Sequence, residues 1–300
     1  MKTTGRNSSV SSKERKGASD MVEFDPRRRS EDMTPVVRDV DVARYAMAVL
    51  RDYIPERLEK PGHIDAYKFV EQYLGANVEI MNIYTDSRDD FIAGAAVFNP
   101  QQVKVFDRDN MTTKNVLVPA NTVIIDEQVT GRIKKGFERF TVLHEAGHLM
   151  MHQEVYRIRP EGSSSAKRTA GNSALCMRSN IGSSARLVTS RDFREHQANT
   201  FAGSFLMPPV TFIPFVHYMI DKLRYIDGDL IIYEHGKTDF TMAMVYDKIV
   251  SVTARHFGVS QDAVRVQMTK YGLHALADDA SIYEAKRRLK LYYSLISYQR

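Results

Sequence analysis

Phe140-Thr141-Val142-Leu143-His144-Glu145-Ala146-Gly147-His148-Leu149-Met150 lies near the middle of a 300-residue chain, and the rest of the sequence is best read outward from it. Residues four apart on a helix stand one above the other on the same face. His144 and His148 can therefore aim two imidazoles at one ion, at the spacing used by zinc-dependent peptidases. Glu145 falls about 60° around the helix from His148. That places a carboxylate beside the metal, where a general base takes a proton from a metal-bound water. Phe137, Phe140, Leu143, Gly147 and Met150 recur at three- and four-residue steps and predict a buried stripe next to the histidine face. Gly147 costs about 1 kcal/mol relative to Ala in a helix, so its presence predicts a second backbone passing close by.

A catalytic zinc needs a third protein ligand and an open position. The segment Arg194-Glu195-His196-Gln197-Ala198-Asn199-Thr200-Phe201-Ala202 reads as a helix that supplies it. Glu195, Ala198, Asn199 and Ala202 share one face, and the two alanines allow close approach to the His144 helix. Glu195 then completes a His-His-Glu set. Asn199, one turn on, can hold the far nitrogen of a ligating imidazole and orient it. His152 continues the four-residue series but lies about 12 Å along the axis from His144, too far for one tetrahedral ion, so it belongs outside the ligand set. His196 points to another face. His217 and Tyr218 are conceivable oxyanion donors, and that role is left unassigned.

These motifs together carry a resemblance. Arg139-Phe140-Thr141-Val142-Leu143 leading into His144-Glu145-Ala146-Gly147-His148, followed by Glu195-His196-Gln197-Ala198-Asn199-Thr200-Phe201-Ala202 and Leu206-Met207-Pro208, is similar to the ImmA/IrrE metallo-endopeptidases over residues 40–275. The resemblance implies cytoplasmic bacterial zinc proteins that cleave helix-turn-helix repressors and so release mobile-element or DNA-damage genes. It puts the zinc histidines at His144 and His148, the catalytic glutamate at Glu145 and the third ligand at Glu195. The stretch between His152 and Arg191 is longer than the family pattern.

Composition bounds the remaining possibilities. With 43% hydrophobic and 26% charged residues and no apolar run near the roughly 18 residues a span requires, no membrane is expected. Residues 1–35 lack the hydrophobic stretch of a secretory signal. They are polar and charged, include Arg27-Arg28-Arg29, and read as a disordered tail. The single cysteine, Cys176, forbids an internal disulfide and fits a reducing cytosol. As a reversible zinc ligand it is a weaker reading than a free thiol in a Ser-rich loop. Residues 157–190 hold six basic side chains and one acid, Glu161, with no helical or strand period. They read as a basic loop bordering the cleft, or as an inert insertion.

The fold expected is α+β and zincin-like, a small mixed sheet packed by helices. A metallopeptidase domain covers 36–225 and a helical C-terminal region covers 226–300. Helices are expected over 41–53, 64–74 (with Gly75 as its stop), 209–224, 239–257, 260–271 and 281–297. Strands are expected near 77–84, 92–98, 102–106 and 121–126. An edge strand ahead of the His144 helix could hold an extended peptide. Ala254 to Val264 forms a helix-turn-helix-like corner with Ser260 as N-cap, and Arg265, Gln267 and Lys270 could face a base or phosphate. A corner packed on the peptidase is the favoured reading. The function expected is a zinc endopeptidase acting on a repressor protein. The alternative is a DNA-binding regulator, or a repressor-binding antitoxin-type protein that uses the zinc fold as scaffold. Direct DNA binding is the weaker partner assignment.

Overall fold

In a computed structural model, residues 21–86, 91–131, 135–157, 173–177, 187–223, 231–232, 240–275 and 279–297 are described. The expected α+β architecture is present. Helix α1 (Asp39–Tyr53) opens on two acids that suit the positive end of its dipole and buries Val42, Ala43, Ala46, Val49 and Leu50. Pro55 begins the short 3-10 turn that follows it. The helix expected over 64–74 is a different object. Asp65 caps a three-residue helix α2 (Ala66–Lys68), which widens at once into a π turn over Phe69–Tyr73. The wider turn buries Phe69, Val70 and Tyr73 together and stacks the Phe69 and Tyr73 rings at 5.3 Å. Gly75, at φ +61°, ends it.

Strands β1 (Asn77–Met81), β2 (Ile92–Val97), β3 (Gln101–Asp107), β4 (Thr112–Val118), β5 (Thr122–Asp126) and β6 (Ser173–Met177) make the sheets. Four of them form one sheet in the order β1-β5-β2-β6. β1 runs parallel to β5, and β2 is antiparallel to both β5 and β6. β3 and β4 form a separate hairpin. Residues 82–84 leave β1 and turn toward that hairpin, with Ile83 bridging Val105. The expected strand 77–84 therefore stops at Met81. β4 was not expected, since Thr112-Thr113-Lys114-Asn115 has no apolar alternation and is largely exposed. β6 lies inside the stretch read as a period-less basic loop; residues 158–172 and 178–186 of that loop fall outside the described residues.

The helices are α3 (Lys135–Met151), α4 (Gln153–Tyr156), α5 (Ser190–Leu206), α6 (Pro209–Leu223), α7 (Phe240–Phe257), α8 (Gln261–Tyr271) and α9 (Asp279–Ser297). β7 (Ile231–Ile232) and β8 (His274–Ala275) form a two-residue parallel pair. α3 packs on β2 and β5 with one side and on α5 with the other. It is therefore buried nearly all round from Phe140 to Leu149, not along one stripe. A single hydrophobic cluster takes in residues from Val40 to Leu295, so α6 to α9 close over the same core as α1. Among the described residues no single helix is long and apolar enough to cross a membrane.

Residues 21–35 correct the reading of a disordered tail up to residue 35. Phe24 packs its ring 4.8 Å from Tyr45, and Thr34 is buried. Arg194, 7% exposed on α5, donates to Asp32 Oδ2 at 3.0 Å and to Thr34 Oγ1 at 2.7 Å. Composition registers the charge of this strap but not the buried guanidinium that receives it. Residues 1–20 lie outside the described residues.

Asp39 ties three helices together. Its carboxylate meets His196 Nε2 of α5 at 2.7 Å and Lys270 Nζ of α8 at 3.4 Å. Burial pushes the carboxyl up, but the contacts with His196 and Lys270 outweigh it and bring its pKa down to about 2. A depressed folded-state pKa means stability fully present above the unfolded value and lost as pH falls through the folded one. Since the side chain is 38% exposed, solvent screening reduces its contribution to about 1 kcal/mol. Asp39→Asn is expected to lower stability by that amount at neutral pH and to flatten the loss of stability between about pH 4 and pH 2, measurable by urea melts across that range.

Candidate metal centre

The His144 helix and the Glu195 helix meet face to face. His144 Nε2 and His148 Nε2 lie 3.1 Å apart. Glu195 places Oε2 3.3 Å from the first and Oε1 3.5 Å from the second. Donor atoms set tetrahedrally at zinc–ligand distances of 2.0–2.1 Å would be roughly 3.3 Å from each other. The three separations bracket that value, so these residues fit a metal ion. Glu195 Oε2 is buried and accepts no hydrogen bond despite its 3.3 Å approach to His144. An electron-pair donor aimed at a shared centre, not at a proton, has this geometry. Glu145 shares the cluster, with a carboxylate oxygen within 4.8 Å of both imidazoles.

Close packing brings the two helices to this distance. A Cβ at Gly147 would meet the Phe201 ring at 3.0 Å. The neighbour at Gly147 is thus an aromatic side chain, not the backbone the sequence led us to expect; Phe201 fills the space beside Ala198 and Ala202, all fully buried. Glu195 is held in phase by the start of its helix. Thr189 accepts from Asp192 N at 3.1 Å, and Asp192 Oδ2 accepts from Thr189 N at 2.8 Å, a reciprocal capping box.

The electrostatics separate the two glutamates. Burial pushes the Glu145 carboxyl well above the usual range, and the nearby Glu195 charge pushes the same way. Neither Glu145 oxygen has a hydrogen-bond partner. Burial also raises Glu195, but His148 and His144 outweigh it and hold that carboxyl well below its ordinary value. Burial lowers His148, and the Glu195 carboxylate opposes that shift. An ionised carboxylate and a neutral imidazole are the forms that bind metal.

Asn199 Oδ1 stands 3.0 Å from His144 Nδ1. His152 lies away from the donor cluster and touches the Nδ1 side of His148 at 3.0 Å. His196 faces α1 through Asp39. His217 meets the Tyr293 hydroxyl of α9 at 3.0 Å, and Tyr218 is exposed. Cys176 pairs its backbone with Gly94 in β6; its thiol lies outside the described atoms. Gly94 is a site residue that the local sequence does not reveal. A Cβ there would stand 2.9 Å from Glu145 Oε1 and 3.0 Å from the Ile124 carbonyl. An isolated glycine inside a strand was the available signal. The strand passing Glu145 is interior to the sheet, because β5 and β6 pair with β2 on either side.

The helix-turn-helix-like corner has its expected local form, with Ser260 accepting from Ala263 N. Its three candidate nucleic-acid contacts are engaged elsewhere. Gln267 is 3% exposed, Lys270 bonds Thr200 and Asp39, and Arg265 pairs with Asp247 and Asp262. The corner is built into the same core as the metal centre.

The family model Peptidase M78, IrrE N-terminal-like domain, matches residues 134–269. Over that stretch the chain is similar to an IrrE N-terminal-like domain. The match runs from α3 through α8, shorter than the 40–275 of the resemblance, and it contains both helices of the candidate metal centre and the corner. No curated protein shows a significant match to the chain. A match to this peptidase family suggests a metal and a protein substrate, and the buried His144-Glu145-His148 cluster suits the first.

Proposed function

We propose that the IrrE N-terminal-like domain is a zinc endopeptidase whose substrate is a helix-turn-helix repressor. The convergence of His144 Nε2, His148 Nε2 and the Glu195 carboxylate at 3.1–3.5 Å carries this reading. Those three groups would hold the zinc, with Asn199 orienting His144. The metal, when bound, supplies a Lewis acid that acidifies water and polarises a peptide carbonyl.

The remaining chemistry belongs to the chain. Glu145 is the general base: its unpartnered carboxylate takes a proton from the attacking water as the new C–O bond forms. It then delivers that proton to the leaving nitrogen as the C–N bond breaks, leaving a carboxylic acid, which keeps the water's second proton, and an amine. The dry walls of the site strengthen each of these interactions. The repressor assignment rests on the family resemblance, and its test is direct. The zinc-loaded chain should cut the repressor encoded beside its own gene at one position, seen by mass spectrometry, and chelation should stop it. An intact repressor under those conditions sinks the substrate assignment.

Gly94 sets where the base sits. Gly94→Ala is expected to push the Glu145 carboxylate off β2, since the new methyl is also blocked by the Ile124 carbonyl. Misplacement on that scale costs on the order of 100-fold in rate. Zinc content should be unchanged, so metal analysis beside a cleavage assay separates loss of base from loss of metal.

A further inference from the structure

His152 and Gln197 are buried polar groups that the proposed reaction does not use. His152 is fully buried where α3 ends, and Gln197 is 4% exposed on α5. They form a chain of hydrogen bonds from the strap to the metal centre. Gln197 Nε2 donates to the Pro35 carbonyl at 2.7 Å, His152 Nε2 meets Gln197 Oε1 at 2.9 Å, and His148 Nδ1 meets His152 Nδ1 at 3.0 Å.

The direction of this chain is decided at its far end. A backbone carbonyl only accepts, so the Gln197 amide must turn its nitrogen toward Pro35 and its oxygen toward His152. His152 must then carry its proton on Nε2, which leaves Nδ1 as an acceptor. His148 must donate from Nδ1, and its Nε2 is left with a lone pair facing His144 and Glu195. An isolated imidazole has no such obligation. Pro35 is itself pinned, because Arg194 holds the neighbouring Asp32 and Thr34.

We propose that His152 and Gln197 are positioning residues for His148, relaying the polarity of the Pro35 carbonyl so that the Nε2 lone pair is set before any metal arrives. The proposal rests on His148 being a ligand, as in the function proposed above. Loss of such an outer partner weakens metal binding by roughly 10- to 100-fold.

Two measurements test it. In protein carrying 15N-histidine, His152 should appear as the Nε2–H form, with and without zinc. Zinc affinity by chelator competition should fall roughly 10- to 100-fold in His152→Leu and in Gln197→Met. In His152→Gln it should stay near wild type, because one amide can accept from His148 and donate to Gln197. Circular dichroism melts confirm that each variant is folded. A wild-type His152 protonated on Nδ1 overturns the proposal, as does unchanged zinc affinity in the folded Leu and Met variants. If His152→Leu fails to fold, the wild-type spectrum and Gln197→Met decide. If the wild-type chain takes up no zinc, the metal reading falls, and the histidine spectrum alone then decides the relay's direction.

Discussion

Glu145→Gln is expected to fold, to retain zinc, and to cleave repressor at least 100-fold more slowly than wild type. General-base catalysis by one positioned side chain accounts for roughly 10²- to 10⁴-fold in rate, and an amide cannot accept the water's proton. The substitution is nearly isosteric, so the contact with Gly94 is preserved. It also replaces a fully buried carboxylate that has no hydrogen-bond partner and lies close to a second one. The metal-free variant should therefore be no less stable than wild type. Zinc content, a thermal melt and single-turnover cleavage together check the prediction. Cleavage at the wild-type rate by a folded, zinc-loaded variant would remove Glu145 from the reaction.

Glu195→Ala should have the opposite signature. Removing one of the three proposed ligands is expected to weaken zinc binding by more than the roughly 100-fold upper cost of losing an outer partner. It also takes away the anion that lies against two buried imidazoles. Dialysis against a moderate chelator followed by metal analysis should return wild-type protein loaded and the variant empty. Full occupancy in the variant would move the third ligand elsewhere.

The His144 helix and the Glu195 helix were legible because their chemistry is local in sequence. Two histidines one turn apart, and a carboxylate sharing a face with two alanines, need no knowledge of the rest of the fold to be found. Most α-helices were legible for the same reason, since their period and caps lie within one segment. The misses have a common cause. Gly94 touches Glu145 across 51 positions, Gln197 touches Pro35 across 162, and Arg194 reaches Asp32 across the same span. β6 joins the sheet from a stretch whose own residues show no alternation. The π turn at Phe69–Tyr73 arises because three side chains are drawn into one core, a demand the local pattern does not display. Each needs a partner that only the folded chain supplies.

The reciprocal cap at Thr189 and Asp192 has an evolutionary consequence. It starts α5 from within its own first turn, and Glu195 follows three residues after Asp192. The angular phase of that carboxylate is therefore independent of how many residues separate it from α4. Loop closure grows only slowly with length, about 0.6 kcal/mol for each doubling. On either side of β6, the interval between the two halves of the candidate centre is thus free to lengthen or shorten while the phase of Glu195 stays fixed. Variation among kindred chains should collect there, just upstream of Thr189, where new specificity can be tried without disturbing the chemistry.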